Sequence, residues 1–337
     1  LQSTYSDQVM PLIELKTMYD NYAVVVDNAC HNTEDGTLSW AEGRATIASA
    51  RSRADLAWKN FQTLGHENEE QRLLDEAQPL AKALDASMDR LADIHEDRRL
   101  VTEPATGREL TYQQGAEVVS QWSAGVAGRA GPGDRVVVAL PGGYDQFLAG
   151  LAVARAGALP VPVNAQMGDA EVRHVESDAR AILTLRSVAD LASTARSVDA
   201  ASADPGDVAA LFYTSGTTGR PKGAMLTHRA LVGVMGPMSA IPDLPIGEAV
   251  AALPVAHIMG FVTYLGLALA GVPAVSFERF RPPDVLDAIE ARRAAIFVGV
   301  PAMYRMLLEA GAADRDLTSV RLWISGADVM PADVRRR

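Results

Sequence analysis

The hydrophobic pattern divides the 337-residue chain into two parts. Residues 1–96 place apolar side chains at steps of three and four, which predicts amphipathic helices. Residues 97–337 alternate short apolar runs with amphipathic segments, which predicts strands that alternate with helices. We therefore expect an all-α antiparallel helical bundle segment over 1–96. Over 97–337 we expect an α/β unit with a mostly parallel sheet covered by helices.

Three helices are predicted in the first part. Apolar stripes over 5–29 and 73–94 predict the first and third helices, and Ser39 and Glu42 have the spacing of a capping box that opens the second. This pattern resembles the sensory four-helix bundle of bacterial chemoreceptors, without its fourth helix and membrane spans. Two interpretations stay open, a ligand-sensing remnant and a helical oligomerisation or filler segment. An apolar stripe left exposed by the missing fourth helix would favour a homodimer.

The second part begins with a predicted turn at Thr106–Gly107–Arg108 between two short strands, and Thr111 is predicted to cap the helix that follows. Ligands of mostly parallel sheets bind beyond the carboxyl ends of the strands, so we expect the site there. The predicted strands are 135–140, 158–163, 181–185, 208–213, 249–253, 273–277, 294–300 and 320–324, and the predicted helices are 111–129, 144–156, 170–180, 282–293 and one that opens at Pro301.

The stretch after strand 208–213 carries the strongest chemical signal. It reads Thr-Ser-Gly-Thr-Thr-Gly over 214–219, where every residue either carries a side-chain hydroxyl group or is a glycine. Such a loop lets backbone N–H groups and hydroxyls approach a phosphate. Lys222 adds a compact cation, and it is the one lysine beside 22 arginines in 97–337. Because Lys222 lies between Pro221 and Gly223, the stretch differs from the G-x-x-x-x-G-K-[ST] loop.

Residues 214–223 resemble the phosphate-binding signature of adenylate-forming (AMP-binding) enzymes, which include acyl- and aryl-CoA synthetases, luciferases and peptide-synthetase adenylation domains. The resemblance implies that ATP and a small-molecule carboxylic acid give an acyl-adenylate and pyrophosphate, and that coenzyme A then accepts the acyl group. It implies catalytic roles for Lys222 and Thr214, and Mg²⁺ that bridges phosphates without a protein ligand in this chain. The cofactor-binding residues that it implies are Thr214, Ser215, Gly216, Thr217, Thr218, Gly219, Lys222, Gly223, Gly326 and Ala327.

Two later segments extend the resemblance. Residues 253–260 (Leu-Pro-Val-Ala-His-Ile-Met-Gly) resemble the second signature of acyl- and aryl-CoA synthetases, and 325–327 (Ser-Gly-Ala) resemble the Gly-Gly-Ala turn beside adenine and acyl group. A lone histidine after a strand is more often structural, but this context favours a catalytic and pocket role for His257. The substrate-binding residues implied are His257, Gly260, Phe261, Ser325 and Gly326. His174 lacks such a context, and His228 is expected to cap or pack.

The same segment favours an apolar substrate. Peptide-synthetase domains carry an aspartate here for the substrate's amino group, whereas 257–262 contain no carboxylate, so an ammonium group would be buried unpaired. The apolar residues Ile258, Met259, Phe261 and Leu265 instead indicate a fatty or other apolar carboxylic acid, and hence a role in fatty acid metabolism.

Composition narrows the partners and the compartment. The net charge is −11, and 1–96 hold 17 acidic against 8 basic residues, which argues against nucleic-acid binding. No apolar run approaches the ~18 residues of a membrane span, and no signal peptide is visible, so we expect a cytoplasmic protein. Cys30 is the one cysteine, and no histidines have paired ligand spacing, so neither a disulfide framework nor a metal site is predicted.

The 337 residues lack the family's later motifs, among them the Tyr-Gly-x-Thr-Glu run, the ribose-binding aspartate and the domain with the catalytic lysine. We therefore expect this chain to adenylate poorly or not at all. A second hypothesis comes from another functional class. In it, a non-catalytic sensory or dimerisation module is fused to an inactive nucleotide-binding lobe.

Overall fold

The computed structural model describes residues 87–95, 97–164, 166–192, 203–204, 206–214, 221–233 and 247–335. The predicted helices before residue 87 therefore lie outside the described residues, and so do five residues of the glycine-rich loop, Ser215, Gly216, Thr217, Thr218 and Gly219. The described residues belong to one compact unit, Glu76–Arg337. Within them, no helix is both long and apolar enough to cross a membrane.

Helices and strands alternate along most of this unit. The helices are α1 Ser87–His95, α2 Tyr112–Ala127, α3 Tyr144–Arg155, α4 Asp169–Asp178, α5 His228–Gly233, α6 Ile258–Leu269, α7 Pro282–Arg292, α8 Pro301–Glu309 and α9 Ala332–Arg335. The strands are β1 Arg99–Glu103, β2 Arg108–Thr111, β3 Arg135–Val138, β4 Leu159–Pro162, β5 Leu183–Leu185, β6 Val208–Thr214, β7 Lys222–Thr227, β8 Ala249–Ala251, β9 Ala274–Ser276, β10 Ile296–Gly299 and β11 Leu322–Ser325.

Three sheets hold these strands. The largest has the order β11-β10-β8-β9-β1-β2, in which every neighbouring pair is parallel except β1 and β2. The second is parallel, with the order β4-β3-β5. The third is the antiparallel pair β6-β7. The predicted α/β class with a mostly parallel sheet is confirmed.

Local sequence chemistry explains several boundaries. Gly107 takes a φ of +68° in the turn between β1 and β2, a conformation that glycine adopts without a Cβ clash. The hydroxyl of Thr111 accepts a hydrogen bond from the backbone N–H of Gln114, and the Gln114 side chain accepts one from the N–H of Thr111. This reciprocal capping box begins α2 at the position that the sequence predicts.

Strand β6 is buried on both faces, because its alternate residues enter two different cores. Leu211 and Tyr213 pack with valines of β3 and β4 and with Val175 of α4. Phe212 enters the larger core, where its ring centroid lies 5.4 Å from that of Phe261 on α6. The β6-β7 pair is therefore held between the parallel three-stranded sheet and α6.

Helix α1 packs on the α/β core, although the sequence pattern groups its residues with the helical segment. Met88 and Leu91 are fully buried in the larger core together with Leu100 of β1. Asp89 also forms an ion pair with Arg155 of α3. These residues precede residue 97 in sequence, and they nevertheless stabilise the α/β unit. The domain boundary predicted between residues 96 and 97 stays a prediction.

An ion-pair network joins β1, α7 and the residue before β8. Arg292 donates Nε to Glu248 Oε2 at 2.7 Å and Nη2 to Glu248 Oε1 at 2.8 Å. Arg99 lies 2.9 Å from the same carboxylate, whose side chain is 13% exposed. Such a bidentate, partly buried pair is stronger than an ordinary surface ion pair.

We predict that Arg292→Ala lowers the free energy of unfolding by about 1–3 kcal/mol, because Glu248 loses its bidentate partner. Urea denaturation of the two proteins measures the difference. Arg305→Ala, on the exposed face of α8, is the matched control and should change stability by less than about 0.5 kcal/mol. Equal effects of the two substitutions would contradict a special contribution from this network.

Candidate functional site

The two ends of the glycine-rich loop are register partners in a β-hairpin. Thr214 ends β6 and Lys222 begins β7, and the two residues lie opposite each other in the ladder. Both side chains are exposed. The hairpin thus presents a hydroxyl and an ammonium group side by side at one end of β6.

The hairpin corrects one part of the prediction. The sequence pattern predicts this loop beyond the carboxyl ends of parallel strands, but β6 and β7 are antiparallel and form their own pair. A parallel crossover needs about a dozen residues or more, whereas only residues 215–221 connect the two strands. The short connection therefore requires a hairpin, and no helix follows the loop directly.

Helix α4 contacts the residues next to both loop ends. The hydroxyl of Tyr213, one residue before Thr214, donates a hydrogen bond of 2.6 Å to Oδ2 of Asp178. Nε2 of His174 lies 3.1 Å from the carbonyl oxygen of Pro221, one residue before Lys222. Burial, with the neighbouring Asp178 carboxylate as a second cause, raises the pKa of Tyr213, so its hydroxyl stays a donor at neutral pH.

Gly223 allows the hairpin to close over this tyrosine. A Cβ atom on Gly223 would lie 2.9 Å from Cζ and 3.1 Å from the hydroxyl oxygen of Tyr213. Gly223, one of the predicted cofactor-binding residues, therefore allows close packing next to Lys222.

The second signature segment connects β8 to α6. His257 is the exposed N-cap residue of α6, and its backbone N–H donates to the carbonyl oxygen of Pro254 at 3.1 Å. Its imidazole makes no capping hydrogen bond at the amino terminus of α6. Gly260 is buried, and a Cβ atom there would overlap the carbonyl oxygen of Pro254. Gly260 is thus required for the tight fold of residues 254–257 onto α6.

The apolar residues of this segment separate into two groups. Phe261 and Leu265 are fully buried in the larger core, where Phe261 packs against Phe147 and Phe212 with ring centroids 5.3 and 5.4 Å away. Ile258 is 38% exposed, and Met259 is partly buried. Phe261, predicted to bind substrate, therefore lies inside the protein in this structure, and the residues of this run with accessible apolar surface are Ile258 and Met259.

The turn after β11 contacts the second signature. A Cβ atom on Gly326 would lie 2.6 Å from Cε of Met259, so the side chain of Met259 occupies the space that the glycine leaves. Ser325 ends β11 and is exposed, and Ala327 has a φ of +65°, which is uncommon for a residue other than glycine. The hydroxyl of Tyr304 supports this turn through a bond of 2.7 Å to the carbonyl oxygen of Ile324.

These contacts connect the three signature segments. The hairpin contacts α6 through Phe212 and Phe261, and α6 contacts the β11 turn through Met259 and Gly326. The exposed polar residues that the structure describes in these segments include Thr214, Lys222, His257 and Ser325. Donors and cations of this kind suit a polyphosphate and an anionic substrate.

A cavity of about 600 Å³ lies beside the second signature segment. It is bordered by the ends of β3, β4, β8 and β9, and Asn164, Ala256 and Arg279 are among its lining residues. None of the residues that the sequence analysis assigned to the substrate lines this cavity, although Pro254 and Ala256 belong to the same segment. Its volume falls within the range of small-molecule pockets.

His228 lies buried at the start of α5, and its backbone N–H donates to the carbonyl oxygen of Asp207 at 3.1 Å. It thus packs close to the hairpin.

His174 and Asp178 were not assigned a role from the sequence. The signal that could have found them is their spacing of four residues on a predicted helix, which places two polar side chains on one face.

No group of three histidine, cysteine, aspartate or glutamate side chains is arranged to hold a metal ion in the described part of the chain. We therefore assign no protein ligand to Mg²⁺ among these residues.

Comparison with known proteins gives a consistent result. The model of the AMP-binding enzyme family matches residues 88–337. A feruloyl-CoA synthase from Amycolatopsis sp is 34% identical over 256 residues, which are 68% of this chain and 52% of that protein. The long-chain-fatty-acid–CoA ligase FadD13 of Mycobacterium tuberculosis is 27% identical over 262 residues, again 68% of this chain and 52% of that protein. The chain thus spans about half the length of these curated relatives.

A solved structure shares the fold. ATP-bound MatB from Rhodopseudomonas palustris superposes with a TM-score of 0.67 at 27% identity, over 75% of this chain and 56% of that one.

We predict that Gly260→Ala destabilises the unit by about 1–3 kcal/mol, because the added methyl group has no space beside Pro254 and the backbone must shift. The measurement is chemical denaturation followed by tryptophan fluorescence. Gly128→Ala is the control, since a Cβ atom there would meet only the carbonyl oxygen of Ala124 at 3.9 Å. Wild-type stability in Gly260→Ala would show that residues 254–257 are not held as described.

Proposed function

Because the chain belongs to the AMP-binding enzyme family, we propose that it contributes to the ATP-dependent activation of a carboxylic acid to an acyl-adenylate and then to an acyl-CoA. The observation that carries the proposal is the pairing of Thr214 with Lys222 at the base of the glycine-rich loop. This pairing places a hydroxyl donor beside a cation at the position of the phosphate-binding signature. The names of the relatives, a feruloyl-CoA synthase and a long-chain-fatty-acid–CoA ligase, support the reaction class.

In this proposal Lys222 and Thr214 bind the β- and γ-phosphates and stabilise the charge that develops on the departing pyrophosphate. We propose the same ligand for Ser215, Gly216, Thr217, Thr218 and Gly219, which lie outside the described residues. When bound, Mg²⁺ would neutralise charge on the phosphates. Coenzyme A is the proposed acceptor of the acyl group, through its thiol. We propose that the reaction takes place in the cytoplasm, where ATP is available.

The proposed acid is apolar, of the fatty or aryl class. His257 is the N-cap residue of α6, Ile258 and Met259 offer apolar surface next to it, and the side chain of Met259 fills the space beside Gly326. No carboxylate occurs within 257–262 to pair with an amino group. An acid without a second charge therefore avoids an unpaired buried ion.

The first experiment measures binding of α,β-methylene-ATP with Mg²⁺ to the 337-residue chain by isothermal titration calorimetry. We expect Lys222→Ala to weaken binding at least about tenfold, because a charged hydrogen bond to phosphate contributes about 1.5–3 kcal/mol. Arg229→Ala, an exposed cation seven residues further on, is the charge-matched control and should leave the affinity unchanged.

Carboxylate-dependent exchange of pyrophosphate with ATP, tested with dodecanoate and ferulate, then separates binding from chemistry. Exchange that disappears in Lys222→Ala would show that this chain adenylates. Binding without exchange would agree with a phosphate site whose chemistry needs residues outside this chain. A wild-type chain that binds no nucleotide would overturn the proposal and favour the non-catalytic hypothesis.

A further inference from the structure

We propose that His174 and Asp178 of α4 are positioning residues, which set the placement of Thr214 and Lys222 for a polyphosphate ligand. The inference rests on the proposed function, because it concerns the same phosphate site. It assigns neither residue a direct contact with the nucleotide. Both act through neighbours in the hairpin.

The geometry gives each end of the loop its own bond to one helix. Asp178 accepts the hydroxyl hydrogen of Tyr213 at 2.6 Å, and Tyr213 is bonded in sequence to Thr214. The ring of His174 lies 3.1 Å from the carbonyl oxygen of Pro221, which precedes Lys222, so Nε2 must be the protonated donor nitrogen. A spacing of four residues places His174 and Asp178 on one face of α4.

The ladder of the hairpin ends at Thr214 and Lys222. Strand β6 is packed in two cores, and these two residues are the last paired ones before the loop. Residues 222–225 of β7 are exposed, whereas β6 is buried up to Tyr213. Contacts with one neighbouring helix at both ends of the loop therefore add to the control that the ladder gives.

Helix α4 can provide that support, because it is itself held in the protein. Val172 and Val175 are buried, and Val175 packs in the same core as Leu211 and Tyr213 of β6. Binding groups are effective when rigid neighbours hold them within about 0.5 Å of the required position. Two hydrogen bonds from one helix meet this need at both ends of the loop.

The test compares ligands that differ in their phosphates. Affinities for α,β-methylene-ATP with Mg²⁺ and for AMP are measured by calorimetry on the 337-residue chain. We expect His174→Leu and Asp178→Ala to weaken binding of the triphosphate analogue about three- to tenfold and to leave AMP affinity unchanged. Arg173→Ala, exposed on the same helix, is the control and should alter neither affinity.

Conservative variants separate positioning from general stability. His174→Gln keeps an N–H donor near the place of Nε2, and Asp178→Asn keeps an oxygen acceptor, so both should bind the analogue nearly as the wild type does. Tyr213→Phe should weaken binding as much as Asp178→Ala does. The double variant should weaken binding no further, because both substitutions remove the same hydrogen bond.

Three outcomes would overturn the inference. Unchanged affinity for the analogue in both His174→Leu and Asp178→Ala would show that α4 does not position the loop ends. Equal losses for the analogue and for AMP would show a merely structural effect. Either of these two results, obtained while the wild type binds the analogue, would overturn the inference and leave the proposed function intact. A wild-type chain that binds neither ligand would overturn the proposed function as well.

Discussion

Burial of β6 on both faces is the constraint on which the site depends. Leu211 and Tyr213 occupy one core and Phe212 the other, so the strand cannot shift by one residue without exchanging its two sets of side chains. That register fixes where β6 ends and therefore where Thr214 lies. The contact between Phe212 and Phe261 then fixes α6, and with it the position of His257.

Much of this arrangement follows from the sequence, because apolar runs bounded by glycine and proline predict buried strands without any knowledge of their partners. Strand β7 has no such signal, since Lys222–Thr227 is mostly exposed and is a strand because β6 pairs with it. Such pairing is a property of the folded chain. For this reason the sequence pattern does not show that β6 leaves the parallel arrangement to pair with β7. The short connection between the two strands is the feature that indicates this pairing.

Candidate site residues were predictable where a backbone constraint leaves a mark in the sequence. Gly260, Gly223 and Gly326 each lie where a side chain would meet a neighbour, so they are recognisable within their motifs. Phe261 shows the opposite case, because periodicity identifies an apolar helix face without telling a packed core from a ligand pocket. The contacts of His174 and Asp178 cross 47 and 35 residues of sequence and became visible only in the fold.

The hairpin also determines the source of positive potential at the site proposed for phosphate. Loops that lead into a helix add the partial charge of the helix amino terminus, but here a strand follows, and sheets have only small net dipoles. At the described ends of the loop, the cation is therefore that of Lys222, an exposed side chain. Dissolved ions screen such a charge over a Debye length of about 8 Å at physiological ionic strength, so the attraction for an incoming anion depends on the salt content of its surroundings.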